Sequence, residues 1–372
     1  MSINLQEKLK HKVSRVQLEK QIDKIVQHLT LNKSSFFVYF ILFLVVIFSI
    51  YVHLNGLYVY SLDSDSYWIY NYTLAIHHNQ NPYLRILNSD MIQNDKYPTY
   101  PPLYFYLGLI SLYFGYSSYP SWIIFMKIYF LIPADFGVAL LIFLILKKHL
   151  TTKPWFSMFA IYIWLFNRWT LYIYTFALID TFTIFFILLS LYYFYSQPEF
   201  SSLLLGIAIA TKLFPIFLLP LYLISHRSKS VYKILVYLFL AIMPVFFVSL
   251  PYIIWSPEAY YKSILFSATR QGDTITRLIG PQLIPSFGTC GVDTRYPLII
   301  SYLLLYFVHW KKNFNIYMFT TVGLLIWNLM NANVFYQYWV WFIPFALILF
   351  GKTIFRYGSS DSNAELTYVD KN

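Results

Sequence analysis

Cysteine is almost absent. The 372-residue chain holds one, Cys290, so no intrachain disulfide can form and the redox compartment leaves no trace in the sequence. Charge is scarce too: 12% of residues, against about 25% in a soluble domain. That is too little to cover a water-soluble protein of this length, and it excludes an ordinary cytosolic enzyme, a disordered chain and a nucleic-acid binder. Twelve glycines exclude a collagen-like repeat. The sequence has no Walker loop, no Gly-rich dinucleotide fingerprint and no cysteine–histidine metal cluster. What fills it instead is apolar: 58% hydrophobic and 22% aromatic, with 36 Tyr, 35 Phe and 10 Trp. This composition points to an all-α polytopic membrane protein whose Tyr and Trp suit lipid–water interfaces. The net charge of +11 (27 basic minus 16 acidic) then fits juxtamembrane Lys and Arg facing anionic membrane lipids, with no nucleic-acid partner.

Three regions follow from the pattern. Residues 1–34 read as a cytoplasmic amphipathic leader, with Leu5, Leu9, Val13 and Val16 near helical spacing, and not as a cleavable signal. Residues 35–351 read as a transmembrane domain, with polar external segments at 55–100 and 255–296, and 352–372 as a cytoplasmic tail. Apolar runs lie near 36–53, 101–116, 121–146, 155–167, 172–195, 201–224, 231–254, 297–309, 315–330 and 334–351. Lys147-Lys148, Arg227 with Lys229, Lys311-Lys312 and Lys352 all belong inside, and strict alternation of ten runs does not allow it. One answer is that some runs do not cross fully. Broken helices are expected near Pro133 and Pro215, where prolines sit mid-run beside Asp135 and Lys212. The expectation is about ten apolar helices, one or two of them broken, with both termini inside.

The first external segment carries the chemistry. Asp63 and Asp65 stand one residue apart just beyond the first run, a place suited to a general base acting at the membrane surface. Clustered carboxylates also suit a divalent cation, so a metal stays open although no cofactor is required. Alone, Asp-x-Asp weighs no more than two acids in a solvated loop, one of them capping a helix. An aromatic stretch, Tyr67 to Ile76, then reads as a membrane-surface helix bearing His77 and His78. Adjacent histidines face different sides, so they make no shared metal site, although one could touch a sugar hydroxyl. Lys212 is costly inside an apolar run unless wet or paired: a phosphate is the anion that would use it, and the structural alternative is a pair with an acid such as Asp180. Asp135 and Asp180 weigh at least equally as interhelical pairs, with Lys127 or Arg168 as partners. Arg270, Arg277 and Arg295 in the second external segment are individually ordinary loop charges, and as a set include a plausible phosphate clamp.

The order of these pieces resembles the GT-C superfamily of polytopic glycosyltransferases, with glycosyltransferase family 87 and the GPI mannosyltransferases as the nearest flavours. The resemblance rests on Asp63-x-Asp65 before a surface helix, Asn81-Pro82-Tyr83, Tyr97-Pro98-Thr99-Tyr100-Pro101-Pro102, Thr211-Lys212-Leu213-Phe214-Pro215, and Tyr336-Gln337-Tyr338-Trp339 with Pro344. It covers about residues 36–350. One departure is Asn79-Gln80 where Gly commonly precedes Asn-Pro-Tyr. The resemblance implies transfer of a monosaccharide, mannose first among the candidates, from a polyprenyl or dolichyl phosphate donor to a lipid-linked glycan or similar acceptor. Transfer would occur on the external or lumenal face of a cell or endoplasmic-reticulum membrane, with inversion. It makes Asp65 the base with Asp63 assisting, and Lys212 with Arg270, Arg277 and Arg295 the donor-phosphate contacts. Tyr83, Arg85, Tyr100 and Tyr336, with His77 and His78, would contact substrate. The rival is a transporter or lipid-carrier flippase, in which intramembrane Asp135, Asp180 and Lys212 form a path.

Overall fold

The structure, a computed structural model, describes residues 36–62, 64–90, 96–150, 154–269, 295–312, 315–330 and 338–356. Among the described residues every regular element is helical, as the composition led us to expect. The leader 1–34, Asp63, Arg270, Arg277 and Tyr336 lie outside the described residues, as does most of the tail, and so does the side chain of Arg295.

Helix α1 is Phe36–Asn55. It is followed by α2 (Asp65–His77), a 3-10 turn at Pro82–Asn88, α3 (Leu103–Tyr113) and α4 (Tyr119–Met126). α4 runs on through a π-helical turn, Lys127–Leu131, into α5 (Ile132–Leu150). Then come α6 (Pro154–Phe166), α7 (Arg168–Thr175), α8 (Asp180–Tyr193) and α9 (Pro198–Thr211). A 3-10 turn at Phe214–Leu218 leads into α10 (Leu219–Ser225). The chain continues as α11 (Val231–Trp255), α12 (Pro257–Thr269), α13 (Arg295–Lys312), α14 (Ile316–Met330) and α15 (Trp339–Arg356). Three helices are long and apolar enough to cross a membrane by length and composition: Phe36–Asn55, Tyr119–Lys147 and Val231–Trp255.

Local chemistry sets the boundaries. Ser118 and Ser121 form a reciprocal capping box at the start of α4. The Asn167 side chain accepts from the Trp169 and Thr170 amides, which separates α6 from α7. Pro198 and Pro257 stand at first helical positions, where their missing N–H costs nothing. Pro133 does not break its helix as expected. The turn before it widens to π geometry, which absorbs the misfit that proline imposes on the preceding turn. Pro215 does sit at a break: α9 ends at Thr211 and Lys212 takes an extended backbone (φ −154°, ψ 129°) before the 3-10 turn.

Two apolar cores divide the molecule. The larger joins α5, α6, α8, α9, α10, α13, α14 and α15 into a bundle, with α1 laid on it through Leu42 and Val45. The smaller is a cap of α2, the 82–88 turn, α3, α4 and α12, built from Tyr83, Phe105, Trp122 and Phe266. Helix α3 belongs to this cap, packed on α2 and α4. At Gly108 an added Cβ would fall 2.6 Å from the Thr73 hydroxyl, so glycine sets how closely α2 and α3 approach. In the bundle α9 and α11 meet at Gly206, whose added Cβ would fall 2.5 Å from the Ala241 carbonyl and 2.9 Å from that of Leu240. Pro244 of α11 has no N–H to bond Leu240, and the glycine lets the two backbones close there.

Candidate active site between cap and bundle

Asp65 is the first residue of α2, where a carboxylate complements the helix dipole. One of its oxygens accepts from Lys96 Nζ at 3.0 Å, both side chains being partly exposed. The segment that follows Lys96 is pinned from four sides. The Tyr72 hydroxyl donates to the Lys96 carbonyl, Ser263 Oγ of α12 donates to Pro98 O (2.8 Å), and the buried Tyr83 hydroxyl donates to Tyr100 O (2.8 Å). The Tyr97 ring meets Phe266 edge-on at 5.1 Å. The Tyr-x-x-Tyr-Pro-Pro stretch is thus a fixed shelf, and its prolines limit the conformations it can adopt.

Below this shelf lies a buried ion pair. Lys212 Nζ donates to Asp180 Oδ1 at 2.5 Å, with side chains 11% and 3% exposed, and the Trp341 indole donates to the same oxygen at 2.6 Å. Three rings surround the ammonium: Trp341 at 4.6 Å, Tyr338 at 5.0 Å and Tyr100 at 5.6 Å from their centroids. Trp341 itself stacks on Phe214 at 3.6 Å, which fixes the indole. Asp180 opens α8 and Lys212 closes α9, so the acid sits at the positive end of one dipole and the base at the negative end of the other.

Tyr100 joins the two clusters. Its phenol lies within electrostatic reach of both Asp65 and Asp180. Burial first, and these carboxylates next, push its pKa well above the ordinary range, so it stays a neutral donor. Tyr172 of α7 lies within reach of Asp65 and Lys96. On the other side of the shelf, the exposed Arg85 guanidinium lies over the Trp68 ring at 4.8 Å and the Tyr97 ring at 5.7 Å.

Sequence reading and geometry part company at several residues. Asp180 pairs with Lys212, the alternative weighed for that lysine, rather than with Arg168, and Asp135 with His53 (3.3 Å) rather than Lys127. Lys127 instead donates to the Gly56 and Val59 carbonyls just past the end of α1 (2.8 and 2.6 Å). Tyr83 is fully buried against Tyr252 and Tyr260, where it braces the shelf and offers no face to a substrate. His77 and His78 are exposed at the far end of α2, about 18 Å along the helix from Asp65. They are not brought to the site. Lys96, Trp341 and Tyr338 were missed. Lys96 had a signal, as the basic residue next to Tyr97-Pro98. Trp341 had none, because one Trp in an aromatic helix looks like another.

Among the described residues no group of three or more His, Cys, Asp or Glu could hold a metal ion. No family model matches the chain, and neither does any curated protein.

Proposed function

We propose that the protein is a polytopic membrane glycosyltransferase of the GT-C kind, moving a monosaccharide, mannose first among the candidates, from a polyprenyl or dolichyl phosphate to a lipid-linked or similar acceptor. The observation that carries the reading is the convergence on Tyr100 of Asp65, the expected base, and Lys212, the expected phosphate contact. These residues come from motifs far apart in the chain, and nothing in their local helices requires them to meet.

In this reading Asp65 takes the proton of an acceptor hydroxyl. The oxygen attacks the anomeric carbon from the face opposite the carrier phosphate, and the phosphate leaves with the bonding pair and inverts the centre. Lys212 stabilises the charge that grows on the phosphate. Both groups are paired at rest, with Lys96 and Asp180, and substrate exchanges those partners. The carrier chain has a bed close by. An apolar cleft of about 450 Å³ between α3, α8, α9 and α11 is lined by Leu103, Phe182, Ile207, Met243 and Phe247. Leu103 is three residues from Tyr100 and Phe182 two from Asp180.

The cap also offers a way round the charge conflict. If α3 stays at the external surface with α2, then α1, α4–α5, α6, α8, α9, α10, α11, α13, α14 and α15 alternate across the bilayer. Lys147, Arg227 with Lys229, Lys311-Lys312 and Lys352 then all fall on the cytoplasmic side. Helix α8 is 14 residues long, about 21 Å, against a core of about 30 Å. If the Tyr193 end of α8 meets the cytoplasmic boundary, the shortfall leaves Asp180 and Lys212 roughly 10 Å beneath the external one, where a lipid phosphate can reach.

A second reading, a transporter or flippase, draws on the buried His53–Asp135 pair within the bundle. One assay separates the two. Purified protein is given radiolabelled polyprenyl-phosphate mannose or glucose together with extracted lipids. Transfer of label to a lipid is expected, and transfer from neither donor refutes the glycosyltransferase.

A further inference from the structure

We infer that Arg85 and Lys96 form a site for a phosphate ester at the rim of the shelf, apart from the Lys212 pocket. Three observations carry it. First, the 82–88 turn is nailed down beneath Arg85, since Tyr83 and Ile86 are fully buried and Pro82 starts the turn, while Arg85 itself stays exposed. Second, the guanidinium lies over two rings supplied by different segments, Trp68 of α2 and Tyr97 of the shelf. A guanidinium held over a ring keeps its N–H edges for a planar, forked partner, and two oxygens of a phosphate fit that fork. Among the described residues no carboxylate lies within ion-pair distance of Arg85. Third, Lys96 shares the rim. It precedes Tyr97 in the chain, its carbonyl is bound by the Tyr72 hydroxyl, and Tyr72 also neighbours Arg85. The site thus offers one forked and one point-like cation, both open to solvent, beside a surface helix.

Binding has a consequence for Asp65. An anion bridging Arg85 and Lys96 competes with the Asp65 carboxylate for the Lys96 ammonium, now 3.0 Å away. Occupation therefore releases Asp65 from its counter-ion. That this prepares Asp65 to accept a proton rests on the glycosyl-transfer reading. The binding does not, and can be tested without turnover.

The test follows methyl phosphate by its phosphorus NMR line width against purified full-length protein in maltoside micelles, which contain no phosphorus. Wild type is expected to bind saturably. Arg85→Ala and Lys96→Ala should each weaken binding about tenfold or more, and Arg85→Lys should recover part. Asp65→Asn should tighten it several-fold, because Lys96 loses its competitor. Unchanged thermal unfolding of Arg85→Ala guards against misfolding. Dihexanoyl phosphatidic acid, added as competitor, distinguishes sources: displacement far below the methyl phosphate concentration assigns the site to a lipid headgroup, and equal potency assigns it to a free ester. No saturable binding, or binding indifferent to Arg85→Ala, overturns the site. Weaker binding in Asp65→Asn overturns the competition.

Discussion

Lys212→Ala separates the functional from the purely structural account of the buried pair, provided stability and binding are read side by side. Removing the ammonium strands Asp180, whose side chain is 3% exposed. Breaking a buried pair from one side costs about 3–5 kcal/mol. Here Trp341 still donates to the same Asp180 oxygen, so the lower end, about 3 kcal/mol, is expected. That loss alone says nothing about function. The informative variant is the double, Lys212→Met with Asp180→Asn, which leaves no charge to strand, keeps similar volumes and lets Trp341 donate to the amide oxygen. It should regain about 2 kcal/mol of the loss, because an uncharged pair in an apolar setting is often neutral relative to the ion pair. Donor binding should not follow. Without the cation, affinity for polyprenyl-phosphate mannose should fall tenfold or more, about 1.4 kcal/mol, in single and double alike. Lys212→Arg should recover part of the transfer rate, keeping charge but not geometry. Chemical unfolding in detergent gives the first quantity, and filter binding of labelled donor the second. A double variant of near wild-type stability that binds donor as tightly as wild type would refute the phosphate role.

Other outcomes follow from single residues. Asp65→Asn should lower turnover by about 10²–10⁴ with donor affinity retained, and Asp63→Asn should cost less. Equal, mild losses in a steady-state transfer assay would return both acids to the status of loop charges. Gly206→Ala should cost about 1–3 kcal/mol, since the new methyl meets the Ala241 and Leu240 carbonyls rather than a flexible side chain, and unchanged thermal stability would contradict this packing. His226, past the end of α10, packs its ring on Phe194 and Tyr237, and burial with Lys229 nearby pushes its pKa down to about 4. The folded state keeps it neutral while the unfolded chain protonates near 6.5, so its contribution is intact above pH 6.5 and is lost as pH falls toward 4. The loss is on the order of 3 kcal/mol. Unfolding midpoints across that window should flatten in His226→Phe, and an unchanged slope would remove His226 from the account.

How much of this was legible in the sequence depends on what each feature needs. The helical class followed from composition, and the break at Lys212-x-x-Pro215 from a lysine and a proline in one apolar run, because both are local. Asp65 at a helix start was legible for the same reason. Of the buried partners, only Asp180 for Lys212 was among the alternatives the charges suggested. Asp180 meets Lys212 and Trp341 because α8, α9 and α15 pack together, and Arg168 was an equally good partner on charge alone. Asp135 likewise found His53, which the sequence reading had left inside the first apolar run.

The feature that composition says least about is the packing of α3. Its eleven residues, Leu103–Tyr113, are as apolar as most bundle helices, and hydropathy alone would put them in the membrane interior. Their buried face is cut for the cap: Gly108 fits Thr73 and Phe105 meets Tyr72 edge-on at 5.7 Å, both on α2, while the Tyr104 hydroxyl donates to Ala177 O, between α7 and α8, at 2.8 Å. Eleven residues span about 16 Å, half of a bilayer core. The turn after it, with Gly115 at φ 85°, ends it at that length. A short apolar helix with a glycine stop was readable in the chain. That it packs on α2 was not, because that depends on the fit of Gly108 to a threonine 35 residues earlier.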